Sequence, residues 1–335
     1  SLVYTPKDGD LWLLAKLSVQ GANLGYNQVV EHLPKTHLLL EPFCVSKDRQ
    51  LSERHPLHQI IKYHCRGISI TDKLAFKLLL AENESFHKTL PYGYLGGLSM
   101  ALRSYRQTSW KDTDFLANIK KRGLEPRSLH YFPYRDDGYI LYNTIQKVVK
   151  EYVKQYVRYY ESDGDVENDF ELQNFMNEVS ADGTGSDGGL GNIKDLPNEL
   201  MSVNSFLWQI SPQHAVINFP LADYDSFTLN TPTKLYRDSR VPDDEFSVFN
   251  LPNANISATL SNTLLSLSNY RYDSLFDYGS QLPDKPGREV ISKWYNYLQR
   301  SVQPYIEKRN KDRLEKGHLT YPYLLPRWVP NGIQT

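Results

Sequence analysis

The sequence predicts a mainly α-helical domain. Apolar residues recur at helical spacing over long stretches, strand-like alternation is scarce, and no internal repeat is found. The first helical stretch, 11–31, carries Leu13, Leu14, Leu17, Val29 and Val30, with Trp12 and Val19 flanking the first group and Asp10 as its expected N-cap. The pattern resumes through His32 and His37 to about Leu40, and Pro42 is expected to end it. Further helices are expected over 93–106 and 112–121. The longest amphipathic run is 138–160, where Leu141, Ile145, Val148, Val149, Tyr152, Val153 and Tyr156 fall on one side. Others follow over 168–180, 196–218, 257–269 and 287–311.

Two loops between helices carry motif-like patterns. "DGTGSDGGLGN" (182–192) contains a G-x-G-x-x-G at Gly183, Gly185 and Gly188. A dinucleotide site needs a strand before it and a helix directly after, and here a helical stretch precedes, so a plain loop is the preferred reading. "DGDVENDFE" (163–171) resembles a calcium loop but has Asn168 where the turn needs glycine, which favours a solvated helix start.

The 335 residues suffice for one large domain or two ordinary ones, and 40% apolar residues can form a substantial core. A net charge of −1, with 23% charged residues, gives no electrostatic case for nucleic acid as a partner. No run approaches the ~20 apolar residues that cross a bilayer, and "SLVYTPKDGDLW" lacks the charged-then-apolar pattern of a signal peptide. A soluble, cytoplasmic protein is therefore expected. Cys44 and Cys65 allow one disulfide and no CxxC metal site.

The chemistry-bearing residues are histidines. "HPLHQIIKYH" groups His55, His58 and His64, a metal site without a nearby fourth ligand or an ordinary helix turn. "SPQHAVINFP" places His214 and Asn218 four apart, an advance of about 400° that stacks them on one helix face. They could be two metal ligands or a hydrogen-bonded core pair. In "HLPKTH", His32 and His37 stand five apart, which on an α-helix leaves them ~140° out of line. A π-bulge would bring them together, and such bulges cluster at functional sites. Pro34 between them already breaks a regular α-helix.

The segments "WLLAKLSVQ", "HLPKTHLLLEPF", "RQLSERHPLHQII", "ELQNFMNEV", "QHAVINF" and "VPNGIQT" resemble, in order, the landmarks of the lipoxygenase family across nearly the whole chain. The resemblance implies a large helical catalytic domain, of which 1–335 would be a single part, lacking the family's N-terminal segment and its membrane-binding β-sandwich. It implies one non-haem iron held by His32, His37, His214, Asn218 and the main-chain carboxylate of Thr335. The family pattern P-N-S-x-x-I ends in isoleucine; "PNGIQT" aligns without a gap and ends in threonine. Ile333 is the rival position if the alignment slips, but it has no free carboxylate.

The activity implied is dioxygenation of polyunsaturated fatty acids. A hydrogen atom leaves a bis-allylic methylene, O2 adds to the opposite face, and the peroxyl radical takes the hydrogen back to give a hydroperoxide. Imidazole, amide and one carboxylate suit iron. The partners implied are a polyunsaturated fatty acid and O2, with peripheral membrane contact as in the family. Gln28 matches a family glutamine near iron, while the family's second glutamine, in "NFGQ", is replaced by Leu221 in "NFPL". Ala75 falls where alanine accompanies S products and glycine R products. Leu79 would line the oxygen approach, and Leu24 would limit pocket depth. Each of these three reads equally as a core residue. Alternative functions are a hydroperoxide isomerase on the same scaffold and an inactive truncated module.

Overall fold

The structure of the protein is a computed structural model that describes residues 3–155, 163–182, 203–268 and 273–333. Among these residues there is no strand. In chain order the helices are α1 (Asp10–Tyr26), α2 (Glu41–Gln50), α3 (Pro56–His64), α4 (Ile68–Ala75), α5 (Ser85–Thr89), α6 (Gly93–Gln107), α7 (Phe115–Lys121) and α8 (Pro133–Gln155). They continue with α9 (Asp163–Asn168), α10 (Phe170–Asp182), α11 (203–208), α12 (His214–Asn218), α13 (Pro220–Tyr224), α14 (Ala254–Ser268), α15 (Lys285–Tyr297) and α16 (Gln303–Glu315). No described helix is long and apolar enough to cross a membrane.

Helix α8 is the axis of the core: Leu141, Tyr142, Ile145, Val148, Val149 and Tyr152 are all fully buried. It starts at Pro133, five residues before the apolar pattern does. Proline suits a first helical turn because its missing N–H has no partner there. The polar start is itself buried. Arg135 donates to the carbonyls of Leu124 and Leu129, and Asp137 accepts both Arg313 amino groups at 2.7 and 2.9 Å. Hydrophobic periodicity cannot reveal a helix turn that is buried through ion pairs.

Other boundaries also differ from expectation. Gly9, not Asp10, is the N-cap of α1, and Asp10 is its first residue, where an acidic group complements the helix dipole. Pro42 does not end a helix; it sits in the first turn of α2. The stretch expected as one helix over 287–311 divides into α15, a π-helical turn Leu298–Val302, and α16 with Pro304 in its first turn. Of the stretch expected over 196–218, residues 196–202 lie outside the described residues, and the remainder is α11, a π turn Gln209–Gln213 containing Pro212, and α12. Proline cannot donate into the ladder, so the chain absorbs it by widening a turn. The glycine-rich motif at Gly183, Gly185 and Gly188 lies outside the described residues. Asp163–Asn168 is helical, as the solvated-start reading expects.

Cys44 and Cys65 are joined, tying α2 to the end of α3. The C-terminal segment returns beside this corner and is held through Asn331. Its N–H donates to Asp273 (3.0 Å), its side-chain amide donates to Asp277 (2.8 Å), and its side-chain oxygen accepts from Phe276 N–H (2.7 Å). Its carbonyl accepts from His64 Nδ1–H at 2.6 Å, while Tyr278 OH donates to His64 Nε2 at 3.0 Å. Burial pushes His64 down to about 3, which keeps it neutral for both bonds. The next residue is glycine for a steric reason: a Cβ on Gly332 would lie 2.1 Å from the His64 carbonyl oxygen. Gly332→Ala is expected to lower the unfolding free energy by about 1–3 kcal/mol, the usual cost of overpacking, as measured by urea denaturation.

Candidate metal centre

The site is built on two of the π-helical segments. The first, Asn27–Leu38, follows α1 without a break and contains Pro34. The sequence expected a single widened turn; the structure extends π geometry over the whole segment. Leu39 N–H donates to Pro34 O at 3.0 Å, an i→i+5 bond, and Thr36 Oγ1 donates to the His32 carbonyl at 2.7 Å. From α6, Ser104 Oγ donates to the Val30 carbonyl at 2.8 Å. These side-chain bonds supply donors to carbonyls that proline and the wider turn leave without an α-helical partner.

The wider turn brings His32 and His37 onto one side. Their Nε2 atoms are 3.1 Å apart, and each lies 3.2 Å from Nε2 of His214, which opens α12 directly after the second π turn. All three rings are buried. The opposite ring nitrogens set the tautomers. His32 Nδ1–H donates to Gln28 Oε1 at 3.3 Å, and His37 Nδ1–H donates to Asp72 Oδ1 at 2.6 Å. Both Nε2 atoms therefore present lone pairs to the centre of the triangle. Burial first, and the neighbouring His37 second, hold the His32 and His214 imidazoles well below the ordinary histidine range, in the neutral form that binds metals.

Facing lone pairs at 3.1–3.2 Å are unfavourable by themselves, and one proton can bridge only one pair. A metal ion held by all three nitrogens would resolve this. Three imidazole nitrogens about 2.1 Å from one ion and at right angles to each other lie about 3.0 Å apart, close to the edges observed. These three residues are the one group of His, Cys, Asp or Glu side chains among the described residues that could hold a metal. The rival group is dispersed. His55 Nε2 faces Asp169 at 3.0 Å, His58 Nδ1–H donates to Leu51 O at 3.1 Å, and His64 serves Asn331 and Tyr278.

Asn218 lies one turn beyond His214 on α12 and is fully buried. Its amide nitrogen donates to Leu267 O at 2.7 Å. Thr335 lies outside the described residues. A narrow apolar pocket opens beside the triad, lined by Gln28, His32, Leu33, His37, Ala75 and Leu79 among others. Leu24 instead packs with Leu221, Leu260 and Leu264 in a separate apolar cluster. A larger cavity of about 840 Å³ lies along the other side of the 27–38 segment, where Asn27, Glu31, Thr36, Gln209 and Gln213 make its lining largely polar.

Asp72 is the site residue that the sequence reading missed. A signal was present: Asp72, Ala75 and Leu79 stand at i, i+3 and i+7, so the helix carrying the pocket wall also aims Asp72 at His37.

Comparison with known proteins finds relatives along nearly the whole chain. The lipoxygenase family model matches residues 2–269. The allene oxide synthase-lipoxygenase protein of Plexaura homomalla is 27% identical over 98% of this chain and 32% of its own length. Linoleate 9S-lipoxygenase 1 of Hordeum vulgare is 27% identical over 97% of the chain and 41% of its own. Among solved structures, the Δ413–417:GS lipoxygenase in an anaerobic complex with arachidonate superposes with a TM-score of 0.90 at 26% identity, covering 99% of this chain and 50% of that one. Coral 8R-lipoxygenase gives 0.89 at 26% identity, covering 100% and 51%. The chain thus spans about half the length of these structures and about a third to two-fifths of these curated relatives.

Proposed function

Because this chain belongs to the lipoxygenase family, we propose that it is the iron-holding part of a dioxygenase that converts polyunsaturated fatty acids to hydroperoxides. The observation that carries this reading is the triangle of three buried Nε2 atoms with edges of 3.1–3.2 Å. His32, His37 and His214 would hold one non-haem iron, with Asn218 and the Thr335 carboxylate completing the set. Residues 1–335 form one partial catalytic domain in this reading. Bound iron would supply the one-electron redox chemistry that takes a hydrogen atom from a bis-allylic methylene and returns it, as electron and proton, once O2 has added to the substrate radical, giving the hydroperoxide.

The chain's own residues do the rest. Gln28 and Asp72 orient two of the imidazoles. Ala75, Leu79, Leu80, Phe86 and Leu267 give the pocket beside the histidines an apolar wall, the kind of lining an acyl chain needs, although its volume of about 30 Å³ admits no more than a small part of such a chain. Ala75 occupies space at one end of the reacting pentadiene, which favours oxygen addition from the side giving S product. The arachidonate complex of a related lipoxygenase supports a fatty acid as substrate.

The test is metal analysis joined to product formation. One iron per chain, and conjugated-diene absorbance rising on addition of linoleate or arachidonate in air, are the expected results. A protein that takes up no transition metal under reconstitution would sink the proposal.

A further inference from the structure

We propose that Asp72 is a positioning residue of the metal centre: its carboxylate locks His37 with Nε2 facing the ion and places a negative charge one imidazole away from it. This rests on reading the triad as a metal site. The three histidines are not supported equally. His37 has a carboxylate oxygen at 2.6 Å on Nδ1, and His32 has a neutral amide oxygen at 3.3 Å. His214 Nδ1 has no hydrogen-bond partner among the described residues. The His37 and Asp72 side chains are only 5% and 7% exposed, so water screens the contact weakly. The second Asp72 oxygen has no partner among the described residues, so no other donor there draws on the carboxylate. A carboxylate on the far nitrogen makes an imidazole a stronger donor and fixes its orientation. His37 is therefore the strongest of the three nitrogen donors, and the charge behind it favours ferric over ferrous ion.

The geometry has a second consequence. Asp72 sits on α4, which leads directly into the π turn Phe76–Leu80 and carries Ala75. One element thus holds both the support of a ligand and the wall of the pocket. A displacement of α4 would change the electronic state of the metal and the shape of the cavity together.

Two variants separate the parts of the proposal. Asp72→Asn keeps a carbonyl acceptor of nearly the same shape but removes the charge, and Asp72→Ala removes both. Far-ultraviolet circular dichroism establishes that each variant folds. In metal-free protein labelled with 15N-histidine, the short bond predicts a strongly downfield His37 Nδ1–H resonance. It should persist in Asp72→Asn and vanish in Asp72→Ala. Cobalt(II) affinity should fall about 10- to 100-fold in Asp72→Ala, the usual effect of losing such a partner. With iron bound, the midpoint potential should rise in Asp72→Asn, by 59 mV for each tenfold loss of preference for ferric ion. A parent protein that binds cobalt, with both variants matching it in affinity and potential, overturns the role given to Asp72 and leaves the metal site standing. A parent that binds neither cobalt nor iron overturns both.

Discussion

His37→Ala is expected to abolish metal uptake and, with it, diene formation from linoleate or arachidonate. The substitution removes one of the three nitrogens of a triangle with edges of 3.1–3.2 Å, which leaves two of the three histidines that could hold a metal. It also leaves the buried Asp72 carboxylate without its Nδ1–H donor. Losing a hydrogen bond to a charged group costs roughly 1.5–3 kcal/mol, so some loss of stability accompanies the loss of metal. A matched control separates the two effects. His58 is also buried and also donates through Nδ1, to the Leu51 carbonyl, but lies outside the triad. His58→Ala, which loses a bond to a neutral carbonyl, should destabilise the fold by a somewhat smaller amount, about 0.5–1.5 kcal/mol for the bond itself, read from urea unfolding, while iron content stays at the parent level. If His37→Ala retained iron and diene formation, the triad would not be the site.

The parts of this centre that were legible in the sequence are those fixed by local geometry. The five-residue spacing of His32 and His37 makes sense only with a widened turn, and Pro34 marks where the α-helical ladder must fail. The four-residue spacing of His214 and Asn218 places both on one face of whatever helix carries them. Neither spacing reveals that the two segments meet, because that depends on packing between residues 182 positions apart. The extent of the π geometry was hidden for a different reason. It is maintained by bonds such as Ser104 to the Val30 carbonyl, which arrive from a helix 74 residues away. Asp72 was passed over because an isolated aspartate in a lysine-containing helix reads as a solvated face until a partner is seen. The early start of α8 was missed because Arg135 and Asp137 are polar yet buried, paired with carbonyls and with Arg313. Periodicity detects burial only when apolar groups do the burying.

Ala75→Gly is expected to move the product from predominantly S toward predominantly R at the new carbon–oxygen bond, without loss of metal. Ala75 lines the pocket beside His32 and His37, and Leu79 lines the same pocket one turn further on. Oxygen can reach a pentadienyl radical at either end and on either face, and the walls of a narrow apolar pocket decide which approach is open. In the proposed reading the Ala75 methyl occupies volume at one such approach, and glycine would vacate it. Changing a tenfold preference for one enantiomer into a tenfold preference for the other requires about 2.7 kcal/mol in relative barrier. One methyl or methylene group in a close-fitting pocket changes discrimination by about 1–3 kcal/mol, so this single substitution is of the right size. Glycine also loosens the end of α4 by about 1 kcal/mol, which a modest fall in melting temperature should report. Chiral chromatography of the reduced product reads the main effect directly. Unchanged S product from an iron-replete Ala75→Gly protein would mean that this wall does not control oxygen approach. Leu79→Ala, which enlarges the same pocket one turn away, would then be the informative comparison: a change in product ratio there would relocate the controlling wall to Leu79.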